Sequence, residues 1–358
     1  MYSRVVITGV GAVTPKTMGK SLLQELLNAK TSGKKEISKS FGDFLTRAEE
    51  LIPYNTLRRI CRFSALALYS NILAAKDSEI VINEGNSEHI GSIMNTIYGP
   101  LKVTEKLLNT LVESGPQNVS PADFANTVIN CATGQVSIYL KIKGASSTMV
   151  GSSSLTYAYE LIRNQKAKAL FVSGVEEYHE NVEKNYSEKI QFSENSACLV
   201  LEDYEHAKAR NAKIYAEIIG CGTGTDPEQM ERIDVMGGNG LKSAISFAIG
   251  SIKEENPEGY LISAVDSELN ELYKKEIEIV SSKIKIKDSF SWKNIFGEAL
   301  GVNEVLAAYI GAIFLNENKF RNNNDNSDAI SLGNDALIIC NSYQPGGCWS
   351  TICMKKVI

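Results

Sequence analysis

Short β-branched and apolar runs alternate with amphipathic stretches along the whole chain. The runs at 5–13 (VVITGVGAV), 89–96 (HIGSIMNT), 146–151 (SSTMVG), 169–177 (ALFVSGVEE) and 196–203 (SACLVLED) have the length and composition of buried strands. A second set follows at 215–226 (YAEIIGCGTGTD), 260–265 (YLISAV), 282–290 (SKIKIKDSF), 336–343 (ALIICNSY) and 350–357 (STICMKKV). Helical periodicity fills the intervals. Residues 21–30 put Leu22, Leu23, Leu26 and Leu27 on one face, and residues 241–254 do the same with Ala244, Ile245, Ala248, Ile249 and Ile252. The stretch 155–166 is apolar around much of its girth and reads as a buried helix.

Five strands, twice over, with helical crossovers predict an internally duplicated α/β protein. The 215–226 run echoes the first strand in shape. The charged segment EHAKARNAK at 205–213 reads as a linking helix, which sets the expected halves at 1–209 and 210–358, closed into one compact unit. The stretch 321–328 (RNNNDNSD) reads as a polar loop.

Composition narrows the picture. At 358 residues the chain can bury a sizeable core, and 43% hydrophobic with 22% charged residues is globular usage. A net charge of -5 lacks the basic field of a nucleic-acid binder. Seven cysteines without a CxxC pair predict reduced thiols and a cytoplasmic location. The N-terminus runs straight into a strand, so no signal peptide is expected, and the apolar run 305–315 is too short to span a bilayer. GVGAV carries Gly9 and Gly11 but has Thr14 where a dinucleotide fingerprint needs its third glycine. His89, His179 and His206 sit in polar segments without metal-ligand spacing, and Cys348 with Cys353 lacks further ligands. No cofactor and no metal are expected.

Four stretches resemble the β-ketoacyl synthases of the thiolase-like fold. They are RVVITGVGAVTP at 4–15, NTVINCATGQVSIYLKIKG at 126–144, ACLVLEDYEHAKARNAKIYAEIIG at 197–220 and CNSYQPGG at 340–347. The likeness runs over essentially the whole chain, with apparent trimming after Thr225 and after Leu315. It implies an α/β, internally duplicated, five-layer αβαβα fold. In that family a cysteine at a helix N-terminus takes the acyl chain from an acyl carrier protein, its thiolate favoured by the helix dipole. Two histidines assist decarboxylation, a lysine positions the site and a glycine-rich loop closes over it.

This chain departs from that pattern at each position. No cysteine lies between Cys131 and Cys198, and no histidine follows His206. By the resemblance the nucleophile falls at Thr148 or at one of Ser152, Ser153 and Ser154. The first histidine falls at Ala264, the lysine at Ser289 and the second histidine at Asn294. The closing loop is Gln344-Pro345-Gly346-Gly347-Cys348-Trp349, and the turn before the fifth strand is Glu194-Asn195-Ser196-Ala197. A serine without a base in reach is a poor nucleophile, and losing general-base and oxyanion assistance together forfeits roughly 10⁴–10⁷ in rate. Small residues packing a tight strand-to-helix turn are the plainer account of these serines.

The resemblance therefore implies a polypeptide that is not an enzyme, similar to the chain-length factors of type II polyketide or aryl-polyene systems. Such a subunit pairs as a heterodimer with a catalytic β-ketoacyl synthase, meets acyl carrier protein only through that partner, and needs neither nucleic acid nor membrane. Ser146, Ser147, Thr148, Met149 and Val150 would form the strand facing the partner. Asp123, Phe124, Thr127, Val128 and Cys131 would line the shared acyl tunnel, although Phe124 and Val128 also suit ordinary core packing. The alternative is a serine-dependent acyltransferase or thioesterase on the same fold, working through Ser152, Ser153 or Ser154.

Overall fold

Each of the ten β-branched runs becomes a strand, and all ten join in one sheet. In chain order the strands are β1 (Val5–Val13), β2 (Ile90–Thr96), β3 (Ser146–Val150), β4 (Ala169–Glu176), β5 (Asn195–Asp203), β6 (Ala216–Thr225), β7 (Glu258–Ile262), β8 (Lys285–Phe290), β9 (Lys319–Phe320), β10 (Ile330–Ser331), β11 (Leu337–Gln344) and β12 (Cys348–Lys355). The short β9 and β10 pair separately. This computed structural model describes residues 2–19, 26, 37–151, 153–185, 190–227, 238–250, 252, 257–266, 270–322, 329–344 and 346–357. Of the helix expected at 21–30 only Leu26 is described, and it is buried; residues 323–328 of the polar loop lie outside the described residues.

The spatial order β3-β2-β4-β5-β1-β6-β12-β11-β7-β8 reads as one pattern written outward twice from the middle. In the first half β2 is parallel to β3 and β4, while β5 is antiparallel to β4 and β1. In the second half β7 is parallel to β8 and β11, and β12 is antiparallel to β11 and β6. The halves meet where β1 pairs with β6 through Val5, Val6 and Ile7.

The helices that position the site are α1 (Arg62–Ser78), α2 (Leu101–Ser114), α3 (Pro121–Ala125), α4 (Cys131–Leu140), α5 (Ser154–Arg163), α6 (Asn239–Ala248), α7 (Asn270–Ser281), α8 (Lys293–Phe296) and α9 (Asn303–Glu317). Every residue of α9 from Asn303 to Leu315 is buried, because it touches strands of both half-sheets. A helix apolar all round belongs between layers, not on a surface. With α5 it forms the middle layer, α1 and α4 cover one outer face, and α6 and α7 the other. The five-layer αβαβα arrangement follows from those contacts.

The duplicated glycines have a packing cause. A Cβ on Gly11 would stand 2.2 Å from the Ser70 carbonyl of α1, and one on Gly224 would stand 2.1 Å from the Gly240 carbonyl of α6. Each half thus brings a helix backbone onto its central strand, which explains GVGAV without a nucleotide.

Three details differ from the sequence reading. The helix at 155–166 is amphipathic: Leu155, Ala158, Tyr159 and Ile162 are buried, while Tyr157 and Glu160 face outward. The helix expected over 241–254 ends at Ala248, shortly before Gly250. Residues 195–197, expected as a turn, already belong to β5.

Candidate active site and assembly face

The turn from β3 into α5 holds most of the positions at which the resemblance led us to expect the nucleophile. Gly151 sits at φ +128, a conformation suited to glycine, and Ser153 takes the N-cap position without making a side-chain cap bond. Ser152 lies outside the described residues. Ser154 is buried; its Oγ donates to Glu304 Oε2 at 2.8 Å, and the Leu155 N–H donates to the same oxygen at 3.1 Å. Glu304, on α9, therefore satisfies the start of α5. Burial raises its pKa above the usual carboxylate value. Thr148 is engaged elsewhere, its Oγ1 2.6 Å from Thr133 Oγ1 on α4.

The end of β7, strand β8 and helix α8 carry the positions expected from the resemblance for the histidines and the lysine. Ala264 is buried, and its N–H donates to Glu276 Oε1 at 3.0 Å. Ser263 Oγ also donates to Glu276, and Asn341 Nδ2 donates to it at 2.9 Å. Asn341 Oδ1 accepts in turn from Thr351 Oγ1 at 2.8 Å. Burial raises the Glu276 pKa, with those hydrogen bonds opposing it. Ser289 lies on β8 with its Oγ 2.8 Å from the Tyr273 hydroxyl. Asn294 is buried on α8.

Beside Asn294 stands a buried cation, Lys293, paired with Glu298. Glu298 Oε1 accepts from the Leu300 N–H at 2.9 Å and from Asn303 Nδ2 at 2.5 Å. Asn303 also donates to the Tyr343 carbonyl at 2.9 Å. Farther along the same rim, Glu176 accepts from Thr96 Oγ1 at 3.0 Å and from the Ile97 N–H. Burial pushes its pKa to about 8, and that of neighbouring Glu177 to about 7. Among the described residues, the buried amides of Asn95 and Gln344 make no hydrogen bond.

Sequence reasoning missed Lys293, Glu276, Glu298 and Glu304. The available signals were Glu304 at the head of an otherwise apolar helix and Glu276 on the buried side of α7.

The glycine-rich loop is a tight hairpin. Gly346 and Gly347 have φ of +97 and +77, Gln344 pairs with Cys348, and Trp349 is fully buried against Tyr343. Pro345 lies outside the described residues. Two of the histidines are within hydrogen-bond distance of carboxylates: His206 Nδ1 is 2.6 Å from Glu202 and His179 Nε2 is 3.1 Å from Glu105.

The opposite edge of the first half-sheet is open. Among the described residues β3 pairs with β2 on one side and has no strand on the other. Ser146 and Val150 are exposed, and Ser147, Thr148 and Met149 are half-buried. Val150 on this strand is 62% exposed and Ile138 on α4, which contacts it, 75%; Phe124 at 65% and Val128 at 49%, in the segment before α4, are not core residues of this chain. Asp123 pairs with Lys106 at 2.7 Å, Thr127 Oγ1 donates to the Phe124 carbonyl at 2.8 Å, and Cys131 is half-buried at the start of α4. A sheet edge that carries an exposed apolar residue beside an exposed apolar helix position is a pairing surface left unblunted.

Residues 2–205 match the family profile for the β-ketoacyl synthase N-terminal domain. The chain belongs to the β-ketoacyl synthase family. Among curated relatives, the 3-oxoacyl-[acyl-carrier-protein] synthase 2 of Coxiella burnetii is 27% identical over 412 aligned positions, covering 99% of each chain. The corresponding synthase of Synechocystis is 29% identical, covering 69% of this chain and 68% of its own. Among solved structures, a β-ketoacyl synthase from Burkholderia phymatum superposes with a TM-score of 0.82 at 20% identity, covering 99% of this chain and all of that one. The ishigamide ketosynthase/chain length factor gives 0.80 at 17% identity, with both chains fully covered. These two share the thiolase-like fold.

One expectation is overturned. The sequence reading had this β-ketoacyl synthase family member as not an enzyme, yet the curated relatives carry the names of enzymes, 3-oxoacyl-[acyl-carrier-protein] synthases. Inference from missing residue types treats the relatives' catalytic set as the only one the fold can carry, and chemistry belongs to sites rather than to folds. Among the described residues no helix is long and apolar enough to cross a membrane.

Proposed function

We propose that this chain works in acyl-chain elongation as the length-setting subunit of a ketosynthase pair. Its partner is a β-ketoacyl synthase with an intact cysteine and two histidines, which receives substrate from an acyl carrier protein. The supporting observation is the open β3 edge with Val150 exposed on it, Ile138 exposed on the adjoining α4, and Phe124 and Val128 exposed in the segment before α4. Across such an edge two family members can pair strand to strand, and the exposed apolar side chains would bury on both sides. The solved neighbours include a ketosynthase/chain length factor and a type II acyl carrier protein in complex with its ketosynthase. Asp123, Phe124, Thr127, Val128 and Cys131 then wall the tunnel at the junction. An extra two-carbon unit that must displace packed side chains costs roughly 1–3 kcal/mol. The pathway expected is polyketide or aryl-polyene synthesis.

The test is co-expression with an active ketosynthase and its carrier protein. A stable heterodimer is expected, and Phe124→Ala should lengthen the product while Val128→Trp shortens it. A chain that stays monomeric beside its partner and leaves product length unchanged sinks the proposal.

A second reading, acyl transfer through a serine of the β3–α5 turn, is favoured by Ser153, half-buried at the N-cap with no cap bond. It requires an acyl adduct on the 152–154 segment after incubation with an acyl carrier thioester, read by intact mass and peptide mapping.

A further inference from the structure

Cys61 and Cys131, separated by seventy residues in sequence, meet where two helices begin. Cys61 is the N-cap of the 17-residue α1, and Cys131 is the first residue of the 10-residue α4. Ser64 Oγ lies 3.4 Å from Cys61 Sγ and 3.2 Å from Cys131 Sγ, so both thiols flank one hydroxyl. Asn126 holds the two segments in place: its Oδ1 accepts from the Cys61 N–H at 3.4 Å, and its Nδ2 donates to the Arg59 carbonyl at 3.3 Å. Both thiols are half-buried, whereas Cys198, Cys340 and Cys353 are buried.

We propose that Cys61 and Cys131 form a reactive dithiol that hydroperoxides convert to a reversible intramolecular disulfide, with Cys61 as the attacking sulfur. This goes beyond the pairing proposed above and does not depend on it.

The Cys61 thiolate attacks the peroxide O–O bond, becomes a sulfenic acid and expels hydroxide or an alkoxide. Cys131 sulfur then displaces hydroxide from the sulfenic sulfur, and its proton leaves in the water formed. Two thiols and one hydroperoxide give one disulfide, one water and one further water or alcohol. A thiol reductant reverses the result. The neighbouring Cys131 thiol holds the Cys61 thiol below its ordinary value and is itself pushed up. Ser64 and the N-terminal field of α1 favour the same thiolate. By contrast, burial raises Cys198, Cys221 and Cys340 well above the ordinary thiol range. Closure needs the sulfurs to approach to about 2.05 Å, which two thiols flanking one hydroxyl reach by side-chain rotation and a helix shift.

The test uses the reduced full chain, treated with one equivalent of hydrogen peroxide, unfolded in N-ethylmaleimide and measured by intact mass and tryptic mapping. Expected is the loss of two hydrogens, five of the seven cysteines alkylated, and one cross-linked pair of peptides containing Cys61 and Cys131. Dithiothreitol should restore seven alkylated positions. In Cys131→Ala, alkylation of Cys61 by iodoacetamide at pH 7 should slow by about tenfold as its pKa returns toward about 8.5, and peroxide should leave a sulfenic or sulfinic Cys61. Seven alkylated cysteines after peroxide, or a disulfide between any other pair, overturns the proposal on the natural chain whatever the variant does.

Discussion

Glu304, on the central helix α9, accepts two hydrogen bonds from the first turn of α5, from Ser154 Oγ at 2.8 Å and from the Leu155 N–H at 3.1 Å. One middle-layer helix therefore caps the other, at the turn where the sequence resemblance led us to expect the nucleophile. Glu304→Ala leaves the Ser154 hydroxyl and the Leu155 N–H buried without that acceptor. A buried group so stranded costs roughly 1–3 kcal/mol, so a loss of about 2–4 kcal/mol is expected in urea unfolding at pH 7. Glu304→Gln keeps an acceptor and should recover about half of it. Equal stability of Glu304→Ala and the natural chain would show that the contact carries nothing.

Glu176 and Glu177 give stability a sign with pH. Burial raises both, to about 8 and about 7 from 4.5, so the folded chain holds protons that the unfolded chain has released. Their contribution is fully present below about pH 4.5 and is lost as pH rises through 7 and 8, at up to about 1.4 kcal/mol per pH unit per group. Glu176→Gln should flatten the fall between pH 5 and pH 8 relative to the natural chain, measured by chemical denaturation. A parallel profile would show that Glu176 titrates alike in both states.

The glycines test the duplicated packing. Gly11→Ala and Gly224→Ala each drive a methyl onto a helix carbonyl, and overpacking of this kind costs about 1–3 kcal/mol. Gly134, exposed on α4 with nothing within 4 Å of its Cβ position, is the control. Gly134→Ala should stabilise by about 0.5–1 kcal/mol through helix propensity. Thermal melts with all three moving the same way would contradict the close approach.

The β3 edge is tested by charge. Val150→Lys places an ammonium beside an unpaired edge and changes no buried contact of this chain. Its melting temperature should stay within about 2 °C of the natural chain, because exposed substitutions usually fall within about 0.5 kcal/mol. Pairing with a ketosynthase, read by light scattering after chromatography, should drop at least tenfold. Undiminished assembly would move the interface elsewhere.

Much of this protein was legible before any coordinates. Short β-branched and apolar runs placed all ten strands of the sheet, and the echo between VVITGVGAV and YAEIIGCGTGTD marked strands that occupy equivalent places on either side of the sheet's centre. Local order suffices there, since a strand covered on both faces is written as a short continuous apolar run. The absence of histidine after His206 and of cysteine between Cys131 and Cys198 is likewise a property of sequence alone. The partners of buried polar groups are not local. Glu276 with Ser263 and Asn341, Lys293 with Glu298, Glu304 with Ser154, and Cys61 with Cys131 meet only because strands and helices distant in the chain are packed together. A carboxylate on an amphipathic helix looks solvated until the fold covers it. Burial then either supplies donors or shifts its proton, and tertiary structure alone decides which.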